Sequence, residues 1–445
     1  MNKTILLSLV TSTMIMAGGD IAPVESVAPE ASLWDFSGQA VAFTQTVDSH
    51  GTKDLFHRDS TYASLGIQLR AINKDLFAGI GAGVEVSAIG QSSSLTDIPD
   101  NENSFAFPFI GGGDAQVESA ALTQAYLTYD FGNTAIKIGR QTMSKSISPF
   151  AYSEGWQVFK NTMDTALIVN KDLSDTTLIY AAFGRANSSI GRLDNFDLIN
   201  ENGNVLHMGT VQNKSFEGLT LTGTYYYAPD FAARGVIDDL SILWGDVNYN
   251  FSDYYVAFQG GTLGGMSGLK DTNAWGAKVG GSFGIFGVEA AYSSVNDGDH
   301  RVTNMATVQN PAPGVGIKSP LYTQSVLDNI GNHHAINADW IKLSASAKAL
   351  GGKFGVAFAA AVDNYSSPTP NPVTGVIGAG SYFGPNPFEV DVTYKTKVTE
   401  DITLFAAYVY TDRDHDNINI IGDPTFVIPE EGGNNFVRLW ARYNF

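Results

Sequence analysis

The chain alternates hydrophobic and polar residues in segments of roughly ten that recur from Leu33 to its end. Successive side chains of a β-strand point to opposite faces, so each segment predicts a strand with one apolar and one mixed face. The last segment shows this best. One of its faces carries Val437, Leu439, Ala441, Tyr443 and Phe445, and the other carries Arg438, Trp440, Arg442 and Asn444. The pattern predicts an antiparallel, all-β fold.

Short and long breaks separate the segments in turn. The short breaks are polar turns with Asn or Asp before a β-rich run, as at 73–75, 131–133 and 251–253. Short turns on one side and long loops on the other are typical of a transmembrane β-barrel, and about eighteen strands would close it. The predicted strands cover residues 33–47, 60–72, 76–90, 117–130, 134–144, 163–171, 176–186, 204–214, 219–229, 241–249, 254–264, 273–283, 285–295, 335–347, 354–364, 386–397, 402–411 and 433–445.

The composition favours this barrel over a soluble β-sandwich. The 445 residues include 47 Gly, 19 Tyr and 26 Phe, and 16% are charged, as expected of a strand-rich chain with many turns. No apolar run of about twenty residues is present, which excludes a helical membrane protein. Open soluble sheets seldom hold so many strands in one domain, so the sandwich is the weaker alternative.

The first residues have the organisation of an export signal. A lysine precedes an apolar run from Ile5 to Met16, and the run ends at the small residue Ala17. The run is too short to span a bilayer as an anchor. We expect a cleaved signal peptide at 1–17, a flexible acidic lead-in at 18–32 and the barrel at 33–445. Export and a barrel together predict the bacterial outer membrane as its location.

Charge and residue types exclude several classes of function. The formal net charge is -19, a sign that disfavours nucleic acid as a partner. The absence of cysteine excludes disulfides, thiolate metal sites and cysteine nucleophiles. The G-x-S-x-G match at 280–284 falls at the end of a predicted strand, no H-E-x-x-H motif is present, and no His lies beside a Ser on a well-alternating strand, so we predict neither an enzyme nor a cofactor.

Two short patterns resemble metal-binding sites only weakly. Asp412, Asp414 and Asp416 have the spacing that opens a calcium loop, but an asparagine replaces the turn glycine and no glutamate stands at the twelfth position. His333 and His334 are adjacent, so on a strand they would point in opposite directions. We therefore predict no metal site.

Short motifs resemble a known family. Met-Ala-Gly-Gly-Asp (16–20), AYLTYDFGNTAIKIGRQ (125–141) and the terminal ARYNF (441–445) are similar to the major outer-membrane porins of Campylobacter-type bacteria and, more distantly, to OprD-like porins. The resemblance implies a barrel of about eighteen strands that passes ions and small solutes passively, with a third extracellular loop folded into the lumen. It also implies that the barrel-assembly machinery recognises the terminal aromatic residues, Tyr443 and Phe445.

The segment that fits such an inward loop is 144–164, between the fifth and sixth predicted strands. Its aromatic side chains suit packing against a wall, and its charged side chains suit a pore. An ordinary exterior hairpin is the alternative. The predicted constriction residues are Tyr152, Glu154, Trp156, Lys160 and Asp164.

Alternation assigns other charged side chains to the barrel interior, because the polar face of a strand is lumenal when its apolar face meets lipid. Arg140 is the difficult case, since it falls with Ile136 and Ile138 unless a bulge turns it inward. With the constriction charges, these groups predict a transverse field across the pore. The predicted lumen lining comprises Arg70, Glu85, Lys137, Arg140, Lys278, Glu289, Glu389, Asp391, Arg438 and Arg442.

The predicted function is a porin for passive diffusion of ions and small hydrophilic solutes, and the acidic excess favours cations. One alternative is a structural or adhesive barrel whose long loops, at 91–116, 296–334, 365–385 and 412–432, bind partners. A second is a solute-selective channel for small carboxylates or amino acids. Outer-membrane lipid and the barrel-assembly machinery are the expected partners, and the sequence leaves a homotrimer open.

Overall fold

The computed structural model describes residues 34–48, 54–56, 61–91, 119–155, 158–187, 193–194, 196–200, 202–233, 236–307, 318–326, 337–363, 387–412 and 433–445. Several predictions lie outside these residues: the leader at 1–17, the lead-in at 18–32, Trp156, the adjacent histidines and the calcium pattern after Asp412.

Nineteen strands are assigned in the described chain, and eighteen of them form one closed antiparallel barrel. The strands are β1 (Asp35–Asp48), β2 (Thr61–Phe77), β3 (Ile80–Gln91), β4 (Ser119–Phe131), β5 (Thr134–Gln141), β6 (Met163–Asn170), β7 (Thr176–Asn187), β8 (Phe196–Leu198), β9 (Leu206–Asn213), β10 (Leu219–Ala233), β11 (Val236–Phe251), β12 (Tyr254–Gly264), β13 (Thr272–Phe283), β14 (Phe286–Val295), β15 (Ala338–Ala349), β16 (Gly352–Asp363), β17 (Phe388–Lys397), β18 (Ile402–Asp412) and β19 (Asn434–Asn444).

Pairing between the first and last strands closes the ring. Strands pair in chain order, and the β1–β19 seam runs from Gln39 opposite Asn444 to Asp48 opposite Asn435. The three-residue β8 lies outside the ring, because it pairs with β7 while β7 itself continues the ring to β9. The backbone donors and acceptors of the ring strands are thus met by their neighbours, and none of these described strands is left as an edge. The predicted all-β barrel is confirmed.

The β10–β11 hairpin departs from the predicted strands, since its first strand was expected to end near residue 229. The register shifts between Ala228 and Phe231, so Pro229 and Asp230 form a bulge. Proline has no N–H for the ladder and usually ends a strand, but a bulge accommodates it. The hairpin therefore continues as paired strands to Ala233 and Val236.

The two faces of the wall differ as the alternation predicts. Along β2, Leu65, Ile67 and Leu69 are exposed on the outside, while Gln68 is buried on the inside. Other exposed apolar side chains on outer strand faces include Val84, Val86, Leu127, Ile138, Leu243, Phe258, Val279, Val288, Leu343, Val356 and Leu439. Such a band on every side of a folded chain is a surface made for an apolar environment. Among the described residues, no helix is long and apolar enough to cross a membrane.

The short turns, the start of β1 and the C-terminal residue Phe445 lie at one rim of the barrel. Phe445 and Gly38 exchange two backbone hydrogen bonds there, at 2.7 and 3.1 Å. Exposed aromatic rings at this rim contact each other in pairs, with centroids 5.6 to 6.0 Å apart, as for Tyr249 with Phe251 and Tyr129 with Phe131. The strand ends that longer connections join lie at the opposite rim. Aromatic rings at a rim suit the boundary between apolar and aqueous surroundings.

Gly38→Val is predicted to weaken closure of the ring. A Cβ at Gly38 would lie 2.5 Å from the backbone oxygen of Gln68 and 2.7 Å from the Phe445 ring. Overpacking of this kind costs about 1–3 kcal/mol. The heat-modifiable mobility of refolded protein on SDS gels measures the folded fraction. We expect a lower fraction and earlier loss on heating. Gly223→Ala is the control, since nothing lies within 4 Å of its Cβ position; equal behaviour of both variants would contradict the prediction.

Candidate pore and its two inward loops

The connection between β5 and β6, residues 142–162, turns into the barrel, and we call it the first inward loop. Phe150 is fully buried and packs edge to face on Tyr226 of β10 and Trp244 of β11, with ring centroids 5.8 and 5.1 Å away. The Tyr226 hydroxyl accepts a hydrogen bond from the backbone N–H of Phe150 at 3.1 Å. Tyr226 and Trp244 are buried and inward-facing, so this end of the loop lies against the inner wall.

The other end of the first inward loop reaches a different wall. Val158 and Phe159 cluster with Val41 and Phe43 of β1. A Cβ at Gly66 of β2 would lie 2.7 Å from Val158 and 2.8 Å from Phe159, so the absent side chain permits this close approach. Because β1 and β11 are nine strands apart in either direction around the ring, the loop crosses the lumen along a diameter.

A second connection, between β14 and β15, also enters the barrel. Its described parts, 296–307 and 318–326, are called the second inward loop. Asn304 donates from Nδ2 to the backbone oxygen of Tyr152 at 2.9 Å, and its Oδ1 accepts the Tyr152 N–H at 3.1 Å. The local sequence pattern predicts an exterior loop here, because it gives no information about a contact with Tyr152, which is 152 residues away in the chain. Its side chains were therefore missing from the predicted site.

Glu154 lies in the contact between the two loops. It is 6% exposed, and its Oε1 accepts hydrogen bonds from Asn304 Nδ2 at 2.9 Å and from the backbone N–H of Lys318 at 3.3 Å. Burial raises the pKa of Glu154 to about 7, and the positive charge of Lys318 opposes that shift. Tyr152 is also buried here. The burial of Glu154 differs from the predicted charge facing the pore, because the second inward loop covers it, whereas the burial of Tyr152 agrees with the packing expected of the aromatic side chains.

Lys160, at the far end of the first inward loop, lies among other cations. Burial lowers the pKa of Lys160, and the charges of Arg442, Arg70 and Lys395 lower it further. These three neighbours come from β19, β2 and β17. Arg442 donates from Nη1 to Gln39 at 3.0 Å. We call Lys160, Arg70, Lys395 and Arg442 the cationic cluster.

Glu85 is the carboxylate that accompanies this cluster, and its oxygens are well supplied with donors. Arg70 pairs with it through Nε at 2.9 Å and also through Nη2. Gln68, Thr123 and Gln124 donate to the same carboxylate at 3.0, 2.9 and 2.8 Å. Thr123 and Gln124 reach it together because the β3–β4 register shifts between Glu85 and its successor, which forms a bulge.

Two other predicted bases face inward but are engaged by aromatic rings. The Lys137 ammonium lies 3.7 Å from the centre of the Tyr126 ring. Arg438 is 1% exposed, donates from Nε to Gln45 at 3.0 Å and lies 5.1 Å from the centres of two phenylalanine rings. Arg438 therefore belongs to the packed wall.

A mixed group lies opposite the cationic cluster, because β2 and β12 are nine strands apart in the ring. Tyr255 of β12 donates its hydroxyl proton to Glu289 of β14 at 2.5 Å, and Lys278 Nζ lies 3.7 Å from the same oxygen. Tyr322 of the second inward loop donates to Asp246 of β11 at 2.5 Å. Two carboxylates and one ammonium thus face the cationic cluster across the lumen.

Glu389 and Asp391 face inward from β17, as predicted, and both are buried. The backbone N–H of Val326 donates to Asp391 Oδ2 at 3.0 Å, and Lys342 Nζ donates to the backbone oxygen of Gln324 at 2.5 Å. These contacts fasten the second inward loop to the wall. Among the described residues, no three His, Cys, Asp or Glu side chains are grouped as metal ligands would be.

Arg140 and Asp164 form an ion pair with Nε to Oδ1 at 2.8 Å. Arg140 pairs in register with Ala125 and Asp164, and so shares the outward face that carries the exposed Leu127 and Ile138. The register thus corrects the predicted inward positions of both residues. Strict alternation holds through β5, and no bulge turns Arg140 inward.

Comparisons with known proteins support the fold. No protein-family profile and no curated protein matches the chain. Among solved structures, Pseudomonas aeruginosa OccK8 (OprE) matches with a TM-score of 0.66 and 12% identity over 93% of this chain and 98% of that one. A BenF-like porin from Pseudomonas fluorescens Pf-5 matches with 0.65 and 9% over 93% and 98%. Acinetobacter baumannii OccAB1 matches with 0.60 and 12% over 93% and 96%. This chain has the eighteen-stranded barrel fold of the Occ-type porins.

Proposed function

We propose that the protein is an outer-membrane channel for passive diffusion of small hydrophilic solutes, and that it selects small carboxylates, amino acids among them. The cationic cluster carries the proposal. Lys160, Arg70, Lys395 and Arg442 come together where the first inward loop meets the wall at the seam. Arginine and lysine side chains placed in this way bind carboxylates through charge-assisted hydrogen bonds.

The outer surface supports a membrane location. Apolar side chains are exposed around the wall, and aromatic rings gather at the rim that carries the short turns. Lipid would cover these side chains, whereas water would leave them exposed at a cost of about 25 cal/mol per Å². The proposed leader at 1–17 would export the chain. Tyr443 and Phe445, whose rings lie 5.7 Å apart at that rim, would be presented to the barrel-assembly machinery.

The interior supports a route along one side of the barrel. Buried apolar side chains pack the first inward loop onto the inner faces of β6 to β11, and this packing closes that side of the lumen. Partly exposed charged side chains, such as Arg70 and Lys278, lie on other parts of the inner wall. A carboxylate entering between the loops would meet ammonium and guanidinium groups in succession. Two opposed walls of unlike charge would orient a dipolar solute. Transport would follow the solute gradient, without catalysis or a cofactor.

The whole-chain charge of -19 is a weaker guide to selectivity than the charges at the narrowest part. Salt screens charges on the exterior within about 8–10 Å. Charges inside a narrow, partly buried passage are screened much less, so the cationic cluster outweighs distant acids there. For this reason we place selectivity for carboxylates above the preference for cations predicted from composition. A purely adhesive barrel would show no steady conductance.

Lys160→Gln and Arg442→Gln are predicted to weaken carboxylate binding in the channel by about tenfold each, since a hydrogen bond to a charged group contributes roughly 1.5–3 kcal/mol. The measurement is block of single-channel potassium chloride current by glutamate or acetate in a planar bilayer. Lys348→Gln removes the same charge from an exposed position near the short-turn rim and is the matched control. Equal block in all four proteins, or a silent folded barrel, would count against the proposal.

Phe150→Ala is predicted to release the first inward loop and to enlarge and destabilise the conductance. Removing a fully buried phenylalanine costs about 3–5 kcal/mol. We expect a larger mean conductance and more open-channel noise in bilayer recordings. Phe216→Ala changes a ring that is 66% exposed in a turn and should leave both quantities unchanged. Unaltered conductance in the Phe150 variant would remove the loop from the conducting path.

A further inference from the structure

Hydrogen bonds join the two inward loops, each with its donor in one loop and its acceptor in the other. The backbone N–H of Met305 donates to the backbone oxygen of Phe150 at 2.7 Å. Lys145 donates from Nζ to the backbone oxygen of Ser319 at 2.7 Å. The reciprocal bonds between Asn304 and Tyr152 lie beside the Met305–Phe150 contact in the chain. The position of one loop therefore depends on that of the other.

Glu154 places a carboxylate inside this contact. The backbone N–H of Glu154 donates to Asn161 at 2.7 Å, which fixes it to its own loop. Its Oε1 accepts hydrogen bonds from Asn304 Nδ2 and from the backbone N–H of Lys318, both in the second inward loop. A neutral carboxyl can keep these two acceptor bonds, whereas an ionised one carries a full charge into a site shielded from water.

We propose that Glu154 is a proton-dependent latch, which holds the two inward loops together when it is protonated and loosens them when it is ionised. This regulation rests on the proposed channel function for its physiological meaning, but the latch itself concerns only the two loops.

The charged groups that face Glu154 limit the size of the effect. Lys318 approaches from the second inward loop and Lys145 from the first. The Lys318 ammonium donates to the backbone oxygens of Ser325 and Val326, at 3.3 and 2.5 Å. The Lys145 ammonium donates to Ser319 and to Gln324 at 2.7 and 3.3 Å. Both cations favour ionised Glu154, as do the hydrogen bonds that it accepts from Asn304 and from the Lys318 N–H, and burial outweighs these four effects.

The direction of the pH dependence follows from linkage. In the docked loops the pKa of Glu154 is about 7, against 4.5 for the solvated group, so the docked state binds more protons between these values. Docking is therefore strongest below pH 4.5, weakens as pH rises, and is weakest above about 7. The docking equilibrium should change by up to about 300-fold over this range, since each unit of pKa corresponds to a factor of ten.

Hydrogen exchange of the backbone amides of Tyr152 and Met305, which donate across the contact, measures loop docking directly. The refolded full chain is compared with Glu154→Gln at each pH from 5 to 8, so that the intrinsic pH dependence of exchange cancels. We expect protection in the unsubstituted protein to be less than that of Glu154→Gln by no more than about fivefold at pH 5, and by at least a further tenfold at pH 8. Glu217→Gln, in an exposed turn, should behave as the unsubstituted protein does. A constant ratio between the protein and Glu154→Gln would overturn the latch.

Lys318→Met provides a second test that does not depend on how Glu154→Gln folds. Loss of the cation raises the pKa of Glu154 further, so the loss of protection should continue to a higher pH and be larger at pH 8 than in the unsubstituted protein. An equal loss of protection in the two proteins at pH 8 would also overturn the latch. Carboxylate block measured on the same samples separates the two proposals: normal pH-dependent exchange without block would reject solute selectivity and leave the latch standing.

Discussion

Closure of the sheet between β1 and β19 is the constraint on which the rest of the structure depends. A ring of this many strands leaves every ladder hydrogen bond satisfied, but it also leaves a lumen wider than its own side chains fill. In the part of the chain that the structure describes, two connections occupy part of that space. The first inward loop spans the lumen between β11 and β1, and the second inward loop lies between the first loop and β17. The wall thus determines that there is a lumen, and the loops determine how much of it stays open.

The interior is consequently asymmetric in its chemistry. Where the loop packs on β6 to β11, the contact is apolar and close to the packing of a soluble core. At the opposite end of the same loop, Lys160 joins guanidinium and ammonium groups from three strands. Like charges at such distances repel, so their assembly lowers stability unless the fold enforces it. The Glu85 carboxylate, with four side chains donating to it, offsets part of that repulsion.

The sequence predicts the wall well and the loops poorly, for a physical reason. Strand alternation is a local property, and it placed Gln68, Arg70, Glu389 and Asp391 on the inner face without any long-range information. It also placed Arg140 outward, and the assumption of a bulge there was the error. Bulges that the pattern did not predict include those at Thr123 and at Pro229 and Asp230, where the periodicity carries no clear signal. Neither Glu154 nor the second inward loop could be positioned, because their partners are 150 to 164 residues distant in the chain.

Those sequence separations bear on how the molecule can assemble. Residues 145 to 155 are made long before 304 to 319, yet they are covered by them, with separations of up to 174 residues. Contacts between residues so far apart in the chain form slowly, since closing the intervening loop costs entropy before the contacts are made. The two inward loops can therefore pack in the lumen only after strands β5 to β14 have joined the sheet. Until then the apolar groups that pack against Phe150 face an unfilled cavity, and this interval is when the folding chain is most open to misassembly or proteolysis.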